Sequence, residues 1–421
     1  MMAVEGPFIA AVIARLPDER YNLAAYGVAF AFAVLTEAPV MMLMSAATAL
    51  VKDGESYRRL RNFSRALGAG TTMLVIAILV PPVYRWLTLS VIEIPARVAD
   101  LTYGALWFFL PWPAAIGYRR FLQGVLIRSD KTRLVALGTI IRLCAMAGTG
   151  LLGALFLDMP GAWVGTLALA VGVCAEAAAA RVMAASTIRE LLASEAENTK
   201  QTDGLDYRGI VHFYYPLALT SLMGIAVQPM LTFFMGRAPE PVDSLAVFPV
   251  VQALSFVFRS LGLSFQDAGI ALMGDRHEHF PELKQFAVGL GIATAIGIGL
   301  VAYTPLAHVW FGTISGLSRE LEAVALAPAR VILPLPALSM LLSLQRAILV
   351  KGHHTRPITV ATATEVSTIA VVFLALGWGL GVVGATAAFT AFTVGRGVAN
   401  LYLMPRARAV LRESRTGSQA P

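Results

Sequence analysis

An all-α polytopic membrane protein, with about twelve transmembrane helices arranged as two parallel six-helix repeats, is what the sequence predicts, and three observations predict it. Of the 421 residues 57% are hydrophobic and only 14% charged, with a mean hydropathy of +0.69, whereas a soluble domain carries about 25% charged residues. Apolar runs of about 20 residues, enough to cross a bilayer core of about 30 Å at 1.5 Å per helical residue, recur from end to end. The runs are continuous and do not alternate with period two, which favours helices over a barrel. Finally, "LPWPAAIGYRRFLQGVLIRSDKTR", residues 110 to 133, returns as "LPLPALSMLLSLQRAILVKGHHTR", residues 333 to 356. Two prolines and a basic finish appear twice.

The spans follow in order. The first, 1 to 16, is short and carries Glu5; the second, 21 to 51, has Glu37 and Pro39 near its middle. The third covers 64 to 87 and the fourth 99 to 127, the latter with Pro111 and Pro113 as expected kinks, like Pro39 before them. Arg142 lies in the fifth, 133 to 156, and Glu176 in the sixth, 161 to 187. The polar run "ELLASEAENTKQTDGLD", within a linker at 190–207, separates an N-terminal lobe, 1–189, from a C-terminal lobe, 208–405, and a tail, 406–421. In the second lobe the spans are 209 to 236, 244 to 273, 285 to 311, 322 to 350, 356 to 377 and 381 to 405, with Pro334 and Pro336 as kinks in the tenth. Cys144 and Cys174 both fall inside apolar runs, so neither a disulfide framework nor a metal site is expected.

Charge in the connections sets the orientation. Twenty Lys and Arg residues lie on one side, in the segments Lys52 to Arg65, Arg128 to Arg133, Arg181 to Arg208, Arg276 to Lys284, Lys351 to Arg356 and Arg406 to Arg415. The other side holds five, Arg15, Arg20, Arg97, Arg237 and Arg319. The richer side is expected to be cytoplasmic, with both termini inside, and the expected location is the plasma (inner) membrane, of bacterial type. The net charge of +7 then needs no nucleic-acid partner.

The chain also reads as a duplication. Set residue n beside n + 222 and Pro7 meets Pro229, Arg15 meets Arg237, Pro17 meets Pro239, and Ala49 and Leu50 meet Ala271 and Leu272. At an offset of 223, Leu110, Pro111 and Pro113 meet Leu333, Pro334 and Pro336. Equivalent helices run in the same direction, so the repeats are parallel, the arrangement expected when a substrate path lies between two lobes.

On the six-plus-six plan, on "RRFLQGVLIRSDKTR" and on "FYYPLALTSLMGIAVQPMLTFFMGRA" at the start of the second half, the chain resembles the multidrug/oligosaccharidyl-lipid/polysaccharide exporter superfamily. That superfamily includes the multidrug and toxic compound extrusion (MATE) transporters. The last stretch is also similar to the seventh helix of the progressive ankylosis protein branch, whose members are linked to export of small organic anions. The resemblance implies alternating access by rocking lobes, with a cavity lined by helices one, two, seven and eight. Drug-exporting members use acidic residues on the first, seventh or tenth helix for cation coupling; here the seventh span contains no Asp or Glu and the tenth has only Glu322, at its very first position.

Charges inside a membrane are costly unless paired or wetted, so they mark candidates. Arg142, Glu176, Glu365 and Arg396 all fall about 15 Å deep, on neighbouring antiparallel spans five and six and, with signs exchanged, eleven and twelve. Ion pairs holding each lobe together are the first reading, cavity-lining roles the second. Glu37 and Arg259 are repeat equivalents with no obvious opposite charge at their depth in either lobe. They are expected to bridge the lobes as a gate or to meet a ligand, Arg259 taking an anionic group and Glu37 competing for it or carrying a coupling proton; a permanently buried structural pair is the alternative. Gln228 offers an amide to the cavity or to helix packing.

Other signals are bland. His277 and His279 in "DRHEHF", and His353 with His354, read as solvated loop residues, and "GLGIATAIGIG", residues 289 to 299, reads as close helix packing. No GxxxxGK[ST] occurs, so ATP hydrolysis, an enzymatic role and cofactors are not expected, and the driving force is an ion gradient (H+ or Na+) or the substrate's own. The favoured function is a secondary exporter or flippase for a small organic anion or an anionic lipid-linked molecule. A cation-coupled multidrug antiporter is the alternative, and an intramembrane transferase the competing class. The first span lacks a counterpart to "RGIVHFYYPLALTSL", residues 208 to 222, so it is read as truncated at its cytoplasmic end, with an upstream start codon as the expected cause.

Overall fold

A computed structural model of the protein describes residues 4–197, 206–274, 277–352, 354 and 356–416. Residues 198–205 of the linker, Asp275 and Arg276 of the histidine-bearing loop, His353, Thr355 and the last five residues lie outside the described residues. Helices account for nearly everything described, and among the described residues there is no strand.

The first half opens with α1 (Glu5–Ala14) and α2 (Glu19–Glu37). Pro39 lacks an amide hydrogen and cannot continue the ladder, so α2 stops, a 3-10 turn (Ala38–Val40) intervenes, and α3 (Leu43–Leu50) resumes the rod. A capping box starts α4 (Gly54–Leu79): Asp53 Oδ1 accepts the Ser56 amide at 2.8 Å and Ser56 Oγ accepts the Asp53 amide at 3.0 Å. A short α5 (Pro81–Arg85) passes into a π-helical turn at Trp86–Val91. Next comes α6 (Ala96–Phe108), and the chain turns through 109–111 before α7 (Trp112–Arg128). Pro111 caps α7 and Pro113 sits in its first turn, where the missing amide costs nothing. α8 (Thr132–Phe156), α9 (Gly161–Met183) and α10 (Ala185–Glu197) complete the half.

The second half repeats the plan with α11 (Tyr207–Ile225), α12 (Val227–Met235), an unbroken α13 (Pro241–Leu272), α14 (Phe280–Tyr303) and α15 (Leu306–His308). A π-helical turn at Val309–Ile314 stands 223 positions after its counterpart. α16 (Arg319–Val331) and α17 (Leu335–Lys351) are separated at Pro334, which caps α17 as Pro111 caps α7, with Pro336 in the first turn. α18 (Arg356–Phe373) and α19 (Gly384–Thr416) are the last two α-helices among the described residues. Counting α2 with α3, α11 with α12 and α16 with α17 as single rods, nine stretches among the described residues are long and apolar enough to cross a membrane. The other three expected spans fall on α1, on α6 with α7, and on α19. Leu155 and Phe156 of α8 are 74% and 76% exposed, which suits contact with hydrocarbon rather than water.

Contacts divide the chain into two units, Leu16–Pro229 and Ala3–Arg15 with Met230–Pro421. Chain order and contact thus assign two helices differently. α11 belongs to the first unit, where it packs on the 3-10 turn and the Tyr214 hydroxyl donates to the Pro39 carbonyl. α1 belongs to the second, where it packs on α13 and Arg15 donates through Nη2 to the carbonyls of Thr313 (2.8 Å) and Ile314 (3.1 Å). The remaining pairs match: α3 packs on α7 and α8 along α9 in one unit, α13 on α17 and α18 along α19 in the other.

Candidate functional site

The first unit holds a buried carboxylate with two hydrogen-bond donors and a second guanidinium beside it. Glu176 on α9 is 0% exposed; it accepts from Arg119 Nη1 and from Gln123 Nε2 at 3.0 Å, both on α7, and Arg142 Nη1 of α8 lies 3.8 Å from it. Arg119 is itself 1% exposed. A buried charge held this way is tolerated because its lone pairs are filled by charged and neutral donors together. The helices come close enough for this because α9 presents Gly172 to α8: a Cβ there would lie 3.1 Å from the Arg142 carbonyl.

Glu37 occupies the point where α2 is interrupted, and Trp112 the first residue after the interruption between α6 and α7. Trp112 Nε1 donates to Glu37 Oε2 at 2.6 Å, and both side chains are buried. Two broken helices therefore meet at one carboxylate, the arrangement by which membrane proteins place ion and substrate groups at mid-depth. Arg119, Arg120 and Arg142 are the cations whose fields reach Glu37. Among the described residues none is within ion-pair distance of it, and its one hydrogen bond is to a neutral group.

In the second unit the signs of the helix pair are exchanged. Arg396 on α19 donates through Nε to Glu365 Oε1 of α18 at 2.7 Å and through Nη1 to Ser339 Oγ of α17 at 3.2 Å. Phe392, one turn before Arg396 on α19, is shared by two guanidiniums, Arg259 at 4.5 Å and Arg396 at 5.4 Å from its ring centre. Arg259 Nε and Nη1 are buried with no hydrogen-bond partner among the described residues. Arg346 on α17 donates to Thr362 Oγ1 at 3.2 Å. Of these three guanidiniums Arg396 is the one bonded to Glu365, and the charges acting on Arg259 and Arg346 are the same two, Arg396 and Glu365.

Of the residues singled out from the sequence, Arg142 and Glu176 come together in the first unit, as do Glu365 and Arg396 in the second. Glu37 and Arg259 each have a partner in their own unit, Trp112 and the Phe392 ring respectively. Gln228 is half-buried near the start of α12. His277 is buried against the Ile348 carbonyl near the end of α17, with Nε2 at 3.1 Å, which gives it a structural place in the loop rather than a solvated one. Sequence reading missed Trp112, Arg119, Arg120, Gln123 and Arg346. A signal for four of them was present, since "RRFLQ" opens with Arg119 and Arg120 and its Gln123 aligns with Arg346 at an offset of 223.

No family model matches the sequence, and no curated protein matches it significantly. Solved structures do. A multidrug resistance MATE family transporter of the MOP superfamily, in an inward-facing conformation, is 14% identical with a TM-score of 0.74, covering 97% of this chain and 94% of its own. The lipid II flippase MurJ, in an inward closed conformation, is 12% identical with a TM-score of 0.71, covering 96% and 85%. A MOP superfamily transporter from Pyrococcus furiosus, in which reversed polarity of the binding pocket suggests a different function, is 12% identical with a TM-score of 0.66, covering 98% and 93%. The chain has the fold that these transporters and the flippase share.

Proposed function

We propose that the chain is a secondary active exporter or flippase of the plasma (inner) membrane, working by alternating access, whose substrate is a small organic anion or an anionic lipid-linked molecule. Arg259 carries the reading. Its guanidinium stands mid-span on α13, over Phe392, with two buried nitrogens lacking any acceptor among the described residues. An unfilled guanidinium at that depth is costly, and an oxyanion is the group that fills its planar fork best. The excess of arginine around Glu365 adds to the attraction for a negative charge. Proteins of this fold include a lipid II flippase and a transporter whose pocket has reversed polarity, which supports an anion-handling member beside drug exporters.

A second reading rests on Glu37. A carboxylate at a helix interruption, held by a neutral indole rather than by a cation, suits a site that binds H+ or Na+. That role favours ion coupling and is compatible with either an anionic substrate or the multidrug antiport alternative.

Reconstitution in proteoliposomes tests both. Uptake of organic anions, lipid-linked sugars and cationic dyes is followed with and without an imposed proton or sodium gradient. Arg259→Gln is expected to lower anion transport at least 100-fold while the protein still elutes as a folded species. Glu37→Gln is expected to remove the gradient dependence. Cationic dyes moving as well in Arg259→Gln as in the wild type, with no anion moved by either, would replace the anion reading by the multidrug one.

A further inference from the structure

Two adjacent arginines on α7 face different surroundings. Successive residues of a helix project about 100° apart, so when Arg119 turns to Glu176 on α9, Arg120 must turn elsewhere. It turns to α3. The seam between α7 and α3 is tight because Gly117 and Gly124, one on either side of Arg120, let the backbones approach. A Cβ at Gly117 would lie 3.2 Å from Val40 Cβ, and one at Gly124 would lie 2.4 Å from the Met44 carbonyl. Arg120 lies beside that seam, half-buried. Its polar contacts among the described residues are the thioethers of Met41 and Met44, each 3.9 Å from a terminal nitrogen, and its Nε is buried with no partner.

Thioether sulfur is a weak acceptor, and a guanidinium carries five donors, so this arginine is under-filled. Glu37 acts on it through the field but is held by Trp112 and makes no ion pair with it. We propose that Arg120, framed by Met41 and Met44, is a binding site for an oxyanion carried on an apolar body, a carboxylate or phosphate monoester with hydrocarbon next to the charge. The guanidinium takes the oxyanion through parallel N–H bonds. The flexible, polarizable methionines adapt to the apolar part. The site lies wholly in the first unit and does not rest on the role given to Arg259. Nor is it repeated: the residue equivalent to Arg120 in α17 is Ser343.

Counting bound probe separates the two arginines. Equilibrium dialysis of the purified full chain in detergent is run with phenyl phosphate and with benzoate, and phenyltrimethylammonium serves as the control. The wild type is expected to bind two oxyanions per chain, Arg120→Gln one, and Arg259→Gln one. Arg120→Lys is expected to keep two with the first-unit site weakened about tenfold, since lysine supplies the charge without the fork. Met44→Glu, which sets a carboxylate against Arg120 and leaves the arginine in place, is expected to bind one and decides the matter where Arg120→Gln does not fold. Two oxyanions still bound to Arg120→Gln or Met44→Glu would overturn the proposal. So would a wild-type stoichiometry of one that disappears with Arg259→Gln and survives Arg120→Gln, an outcome that leaves the Arg259 reading intact. The reverse pattern supports Arg120 and removes Arg259, and a wild type that binds neither probe overturns both.

Discussion

In the first unit α7 supplies the glycines at its seam with α3; in the second the partner helix supplies them. Gly117 faces Val40 and Gly124 faces Ala47, whereas Met340 and Ala347, at the places of Gly117 and Gly124, face Gly262 and Gly269, at the places of Val40 and Ala47. The buried charges are exchanged in a similar way. Arg142 is replaced by Glu365 at the same position, and the partner carboxylate Glu176 by the guanidinium of Arg396. This second exchange is not strictly positional. Gly172 and Gly395 meet the equivalent carbonyls of Arg142 and Glu365, which aligns α9 with α19 at an offset of 223 and puts Arg396 level with Val173, one turn from the position of Glu176.

Each unit therefore has one small residue at each point of the seam and one buried carboxylate bonded to a guanidinium, but carries them on different helices. Close packing depends on the sum of two facing volumes, and pair neutrality on the sum of two charges. Polarity is left free to vary, and the second unit uses that freedom to gather Arg259, Arg346 and Arg396 around Glu365.

The largest effect is expected where a buried ion pair loses one member. Glu176→Leu strands Arg119 and Gln123 together, and is expected to cost about 3–5 kcal/mol and most of the folded yield, read by size-exclusion profile and thermal melting. Arg396→Leu removes the bonded partner of Glu365 but leaves the fields of Arg259 and Arg346 on it, and is expected to cost less; equal losses would mean that the two centres are not built differently.

Double substitutions sharpen the same point. Glu365→Leu with Arg396→Leu removes both members of the bonded pair and is expected to recover most of the yield lost by either single change, to within about 1 kcal/mol. Arg142→Leu with Glu176→Leu is expected to stay impaired, because Arg119 remains buried without its carboxylate. Full recovery in both units would show that Arg119 is not the main partner of Glu176.

A smaller effect is expected from the seams. Gly124→Ala drives a methyl into the Met44 backbone and is expected to cost about 1–3 kcal/mol, whereas Gly269→Ala meets Ala347 Cβ at 3.3 Å and is expected to cost under about 1 kcal/mol. The smallest effect belongs to Gly148→Ala on α8, where a Cβ meets nothing within 4 Å; its melting temperature is expected to rise slightly, since alanine stabilises a helix by about 0.5–1 kcal/mol over glycine. A loss there as large as at Gly124 would remove close packing as the reason for either.

What could be read in the residues alone was whatever depends on short-range chemistry. Apolar run length gives the spans, Pro39, Pro111 and Pro334 interrupt helices because proline has no amide to donate, and the 222 to 223 offset is a property of the string itself. Depth counting along antiparallel spans also sets Arg142 level with Glu176 and Glu365 level with Arg396. Which donors close on a carboxylate is another matter. Arg119 and Arg120 are indistinguishable in the sequence, and one of them binds Glu176 while the other lies against two thioethers. That outcome is set by the crossing of α7 with α9 on one side and α3 on the other, and so by Gly117, Gly124 and Gly172 acting across helices that are tens of residues apart in the chain. The same is true of Trp112 at Glu37 and of α1 and α11 exchanging units. Side-chain direction about a helix follows from the local period of 3.6 residues, but the identity of what stands opposite depends on which helices pack together, and that is decided only when the whole unit has closed.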